Sequence, residues 1–207
     1  MSEPFRTLTS HAVTLMIDNV DTDQIIPSRE MKTVSRAGLA DGLFAGWRYN
    51  APGTREIETG FILNEPPFNE AKILISGSNF GCGSSREHAV WALAEYGFRA
   101  IIAVSFGSIF RANCARNGLL AVALPEDHLE AVATFASGGD NITVDLPDQA
   151  VSWGTSQANF QMDAYEKRLL LEGLDPIGLT QSSQSLIDRF IADDRAERPW
   201  IYPQTAK

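Results

Sequence analysis

Ser84, Ser85 and Arg86 close a stretch from Ile73 to Arg86, ILISGSNFGCGSSR, in which an apolar run gives way to a turn with three glycines, Gly77, Gly81 and Gly83. Two hydroxyls and a guanidinium at such a turn suit an anionic ligand. Glycines let the backbone approach closely, free N–H groups attract negative charge, and a guanidinium holds a carboxylate through two parallel hydrogen bonds. Ser84 carries two readings. It is a helix cap helped by a surface arginine, or it is a base, because nearby N–H donors and an arginine stabilise a deprotonated hydroxyl.

The elements that must position these groups are legible on either side. Ile73-Leu74-Ile75 is short, apolar and β-branched, as a strand buried on both faces of a parallel sheet is expected to be. Ser84-Ser85-Arg86-Glu87 fits the S-x-x-E capping box, so a helix is expected from Ser84, with Ala89, Val90, Leu93 and Ala94 on its apolar face and a stop at Gly97. His88 would then share a face with Ser84. Ala100 to Val104 supplies the next buried strand and completes a β-α-β unit. Ligands bind open α/β sheets at the carboxyl ends of their strands, where this turn would lie. Nucleotide motifs fail on spacing: Arg86 stands where G-x-G-x-x-G needs its third glycine, and no G-K-[ST] follows.

NFGCGSSREHAVWAL, together with NVDTDQIIPS at 19–28, SFGSIFRANCARNGLL at 105–120 and GLDPIGLT at 173–180, resembles the small subunits of the 3-isopropylmalate dehydratase family, which correspond to the swivelling domain of aconitase. The resemblance runs in the same order from Leu8 to Thr180. It implies a three-layer swivelling β/β/α domain of the α/β class, with a central parallel sheet and a smaller antiparallel one. It further implies that Ser84 is the catalytic base, that Ser85 and Arg86 bind a substrate carboxylate, and that Asp21 and Thr22-Asp23 shape the cleft. The segment from Ser28 to Arg36 corresponds to the loop that contacts the variable group of the substrate. Many members have an aromatic-leucine pair where this chain has Glu30-Met31. Met31 suits an isopropyl group, whereas Arg29 or Lys32 suits an additional carboxylate. A [4Fe–4S] cluster is implied on a separate large subunit, the partner in a heterodimer, and none on this chain.

Composition bounds the rest. In 207 residues, 17 basic side chains stand against 26 acidic ones, with no basic cluster, so nucleic acid is not an expected partner. No apolar run approaches the roughly 20 residues of a membrane span and MSEPFRTLTS lacks a signal-peptide core, so a cytoplasmic chain is expected. Cys82 and Cys114 are the only cysteines, too few for a disulfide framework or a cluster held by this chain alone. Asp18 to Asp23 lacks the glycine and glutamate of a calcium loop.

Further along, Thr7–Ile17 is expected as one strand, Phe61–Asn64 as a short strand, Ser105–Arg116 as a helix and Leu119–Leu124 as a third parallel strand. A helix from Pro125 to Phe135 should follow. From Asn141 the pattern alternates over Ile142–Leu146, Ala150–Trp153 and Asn159–Met162, which indicates antiparallel strands. Helices are expected at 163–171 and 185–192, joined by a rigid loop at 173–178. The domain should span 1–192, with 193–207 a peripheral tail. Two further functions remain open: the small subunit of a related hydro-lyase acting on a citrate-, homocitrate- or methylmalate-like acid, and a non-catalytic anion-binding module. All of them take a small di- or tricarboxylate.

Overall fold

The computed structural model describes residues 2–31 and 35–202. Two strands open the chain, β1 (Thr7–Ser10) and β2 (Ala12–Leu15), followed by the short helices α1 (Thr22–Ile25) and α2 (Ala45–Arg48). Then come β3 (Ile73–Ser76), α3 (His88–Tyr96), β4 (Ala100–Ala103), α4 (Ser108–Arg116), β5 (Leu120–Ala123) and α5 (Glu126–Ser137). Strands β6 (Ile142–Asp145), β7 (Ala150–Trp153) and β8 (Ser156–Asn159) precede helices α6 (Ala164–Glu172), α7 (Pro176–Gln181) and α8 (Gln184–Glu197). Among the described residues no helix is long and apolar enough to cross a membrane.

Strands β2, β3, β4 and β5 form a parallel sheet in that order, and β1, β6, β7 and β8 an antiparallel one. The parallel sheet is buried on both faces. Alternation along each strand sends Leu74, Ile101 and Ala121 to a core with α3 and α4. Ile73, Ile75, Ala100, Ile102, Leu120 and Val122 point the other way, into a second core with α5 and the inner residues Val144, Val151 and Trp153 of the antiparallel sheet. Helices, parallel sheet and antiparallel sheet thus form three layers of the expected α/β kind. Burying Ile73, Leu74 and Ile75 completely contributes about 1.5–3 kcal/mol each, which fixes the strand that carries the glycine-rich turn.

Several expectations are corrected. The run at 7–17 is two strands in different sheets, because the chain crosses between layers at His11; only β2 continues into the parallel core. Residues 62–64 form a 3₁₀ turn, with Leu63 turned into the core. Strand β8 lies at 156–159, before the predicted 159–162, because Gly154 turns the chain tightly after β7. The loop expected after Gly173 contains helix α7, capped by Asp175, whose carboxylate accepts from the Gly178 amide at 2.7 Å, with Pro176 preset at its first position. Helix α8 continues past Ala192 to Glu197, extended by the ion pairs Arg189–Asp193 and Arg198–Asp194 one turn apart.

Candidate active site

The loops leaving the carboxyl ends of β2, β3 and β4 are joined by main-chain hydrogen bonds. The Asn19 amide donates to the Ser78 carbonyl at 2.8 Å, the Gly81 amide to Val20 at 2.8 Å and the Thr22 amide to Cys82 at 3.0 Å. On the other side the Phe80 amide donates to Ser105 at 3.0 Å and the Gly107 amide to Phe80 at 2.9 Å. The crossing requires two glycines. A methyl on Gly81, whose φ is +72°, would lie 2.2–2.6 Å from the Phe110 ring, and one on Gly107 would meet the Gly81 carbonyl oxygen at 2.6 Å.

Ser84 sits just past this crossing and is exposed. The predicted cap is not formed. Helix α3 starts at His88, and residues 84–86 are a non-helical approach to it. The cause is a tertiary competitor: the Ser84 amide donates to Thr22 Oγ1 at 3.2 Å, and the two hydroxyls lie 3.1 Å apart. Thr22 is 4 % exposed, so it offers Ser84 a nearly dry partner that the helix terminus does not. Glu87, the expected capping-box acid, instead accepts from the Asn117 side chain at 3.2 Å. A capping box does form, at Asp21 and Gln24: each side chain bonds the other's amide, at 2.7 and 2.8 Å, and starts α1 beside the turn.

Arg86 reaches across to the segment after α1. Its Nη1 donates to Ser28 Oγ at 2.9 Å and to Asp23 Oδ1 at 3.2 Å, while Ser28 Oγ donates to Asp23 Oδ1 at 2.8 Å. The Arg86 side chain remains 44 % exposed, and among the described residues only its Nη1 is bonded, which leaves Nη2 and Nε available. Ser85 is exposed and makes no hydrogen bond among the described residues. Asp21, Thr22, Asp23, Ser84 and Arg86 therefore meet at one place, although about 60 residues separate the two stretches.

The segment expected to face substrate divides. Arg29 lies beside the site but pairs with Glu30 at 3.4 Å, and Arg55 takes the other oxygen of Glu30 at 2.8 Å. Met31 is partly buried against the core on the α3 side of the sheet. Lys32 lies outside the described residues. His88 does not share a helix face with Ser84, since Ser84 precedes the helix; its ring packs against Trp91 in a tilted arrangement, centroids 4.8 Å apart. Cys82 donates weakly to the Asn19 carbonyl at 3.4 Å, whereas Cys114 is buried and burial pushes its thiol pKa well above the ordinary range. Among the described residues no three His, Cys, Asp or Glu side chains are grouped to hold a metal ion.

Ser28 entered the sequence reading only as the first residue of its segment, and Glu95 not at all. Ser28 joins Arg86 to Asp23. Glu95, on the last turn of α3, accepts from the amides of Gly38, Leu39 and Ala40 at 2.6, 2.5 and 2.9 Å. Burial raises its pKa, but the three amide hydrogen bonds outweigh that and lower it overall. Neither contact leaves a local signal, because each joins stretches more than 50 residues apart.

The family model described as the aconitase C-terminal domain matches residues 2–127. Curated relatives named 3-isopropylmalate dehydratase small subunit include one from Cupriavidus necator, 52 % identical over 204 residues, covering 97 % of this chain and 98 % of its own. Another, from Acidothermus cellulolyticus, is 49 % identical over 199 residues, covering 95 % and 97 %. A solved structure of 3-isopropylmalate dehydratase from Methanocaldococcus jannaschii superposes with a TM-score of 0.66 at 25 % identity, over 88 % of this chain and 98 % of that one.

Proposed function

We propose, from the premise that this chain belongs to the 3-isopropylmalate dehydratase small-subunit family, that its exposed Ser84 turn is half of an active site completed by a second polypeptide. The chain is the small subunit of an aconitase-type hydro-lyase that interconverts 2-isopropylmalate and 3-isopropylmalate in leucine biosynthesis. Dehydration needs an acceptor for the departing hydroxyl, a base for the carbon-bound proton and fixed cations for the carboxylates.

The chain's own part is the last two. Ser84 Oγ, as alkoxide, takes the proton. Thr22 supports this role: its Oγ1 already accepts the Ser84 amide, so its own hydrogen is free to point at Ser84 Oγ 3.1 Å away and favour the deprotonated form. Ser85 and the available Nη2 and Nε of Arg86 hold a substrate carboxylate, with Asp23 and Ser28 fixing the guanidinium plane and Asp21 holding α1 in place. The acceptor, a [4Fe–4S] cluster whose exposed iron supplies the Lewis acid when bound, belongs to the large subunit. This chain's thiols do not fit it, since Cys114 is sealed in the core. A reduced pair of thiols and an acidic surface suit a cytoplasmic heterodimer.

The observation that carries the reading is the meeting of the exposed Ser84 hydroxyl with Thr22 and Arg86 at the carboxyl ends of the parallel strands. Among related acids, an isopropyl-bearing substrate fits best, because Arg29 is already taken by Glu30 while Met31 remains apolar. The test is reconstitution. The large subunit alone should not turn over isopropylmalate, the pair should, and the pair carrying Ser84→Ala should associate normally yet lose turnover. Full turnover by the large subunit alone would reject the assignment.

A further inference from the structure

We propose that Glu95 is a positioning residue for substrate selection, acting at a distance on Arg29 and Met31; the inference rests on the dehydratase reading. Helix α3 braces both ends of the substrate-facing segment. Just before it, Arg86 holds Ser28; on its last turn, Glu95 holds the amides of residues 38, 39 and 40. Nine helical residues rise only about 13 Å, whereas the ten Cα-to-Cα steps from Ser28 to Gly38 can extend to roughly 33 Å. Chain length therefore does not fix the path of the segment, and its anchors must.

The second anchor reaches the selecting residues through contact. Turn 40–42 starts at the amides Glu95 holds, and Arg48 grips its carbonyl side, donating to the Ala40 oxygen at 3.0 Å. Gly42 in that turn presses on Glu30: a methyl there would lie 2.7 Å from Glu30 Cβ. The Glu30 side chain is only 6 % exposed and stands between Arg55 and Arg29, with Met31 next in the chain. Moving the turn therefore moves Glu30, and with it the guanidinium and the thioether on either side. None of these residues belongs to the Ser84 turn, so the effect falls on which side group is accepted and leaves proton transfer alone.

The experiment uses the reconstituted pair with 2-isopropylmalate and 2-methylmalate as probes. Glu95→Gln keeps the shape but removes the charge that binds three donors. It should raise KM for 2-isopropylmalate about tenfold and narrow the preference between the two acids, with kcat kept within about twofold. Glu95→Asp should recover part of the preference. Gly42→Ala, whose backbone needs no unusual φ, should disturb the same preference through Glu30. Hydrogen exchange on the isolated chain should quicken in the peptides spanning 28–31 and 35–43 and stay unchanged in the strands of both sheets. An unchanged preference in Glu95→Gln overturns the inference, as does a fall in kcat with KM intact or faster exchange throughout the chain. A wild-type pair that turns over neither acid removes the dehydratase reading itself, an outcome visible before any variant is measured.

Discussion

The turn at 77–86 and the described residues of the segment at 28–42 touch through Arg86 and Ser28 but are held in place by different means. The turn is sewn to its neighbours by main-chain hydrogen bonds on both sides, from Val20 and Asn19 in one direction and from Ser105 and Gly107 in the other. The segment is held mainly by side chains: Ser28 by Arg86 and Asp23, Glu30 by Arg29 and Arg55, and residues 38–40 by Glu95. Main-chain bonding is indifferent to most substitutions, whereas each side-chain tether is removed by one. A rigid turn suits a proposed base that must be placed to a fraction of an ångström, and a tethered segment suits a surface that differs between related substrates.

Breaking the turn should cost most. Ser84→Ala in the pair should lower kcat roughly 10³-fold with association unchanged, measured by steady-state turnover and by co-purification. Gly81→Ala attacks the same turn through its backbone. A positive φ and a methyl inside the Phe110 ring combine strain with overpacking, so the isolated chain should lose about 3 kcal/mol by denaturant titration. Arg86→Lys, at the junction of the two regions, should reduce kcat/KM about 100-fold, since an ammonium cannot bridge Ser28 and Asp23 while holding a carboxylate. Thr22→Val removes one hydroxyl beside Ser84; kcat should fall about tenfold and its pH profile should shift upward, as the serine loses a hydrogen bond that favours its charged form.

The two regions also differ in how much the sequence disclosed. Strand β3 was legible because Ile73-Leu74-Ile75 must be buried wherever it sits, and the turn because its glycines have no other use. The start of α3 was misread. Ser84-x-x-Glu87 satisfies a local rule, and the rule lost to Thr22, 62 residues away, which binds both the amide and the hydroxyl. The cap that did form, Asp21 with Gln24, lay in a stretch whose helix is only four residues long, too short to show periodicity. In the segment, Arg29 and Met31 drew notice by their chemistry. That Glu30 would be nearly buried between two arginines depended on Arg55 arriving from a later loop. Contacts of this kind carry no spacing signal, so the tethered half of the site was the harder half to foresee.

Acidity offers the gentlest way to loosen the tethered region while leaving the turn alone. The Glu95 carboxyl has its pKa lowered below the ordinary 4.5 in the folded chain, as three amide hydrogen bonds overcome the cost of burial. A carboxyl with a depressed folded pKa adds stability that is fully present above its unfolded value and is lost as pH falls through the folded one. Comparing wild type with Glu95→Gln should therefore give a constant stability difference between pH 5 and pH 8, about 1 kcal/mol because solvent screens so exposed a group. The difference should shrink below about pH 4.5 as the carboxyl protonates. Asp194, whose pKa is also lowered, by its bonds to Tyr202 and Arg198, titrates in the same window near the far end of α8. Total acid destabilisation therefore mixes the two, and only the difference between the chains isolates Glu95. A difference that held steady down to pH 3 would mean that the amides at 38–40 are served as well by an uncharged oxygen, and that the charge of the tether contributes nothing.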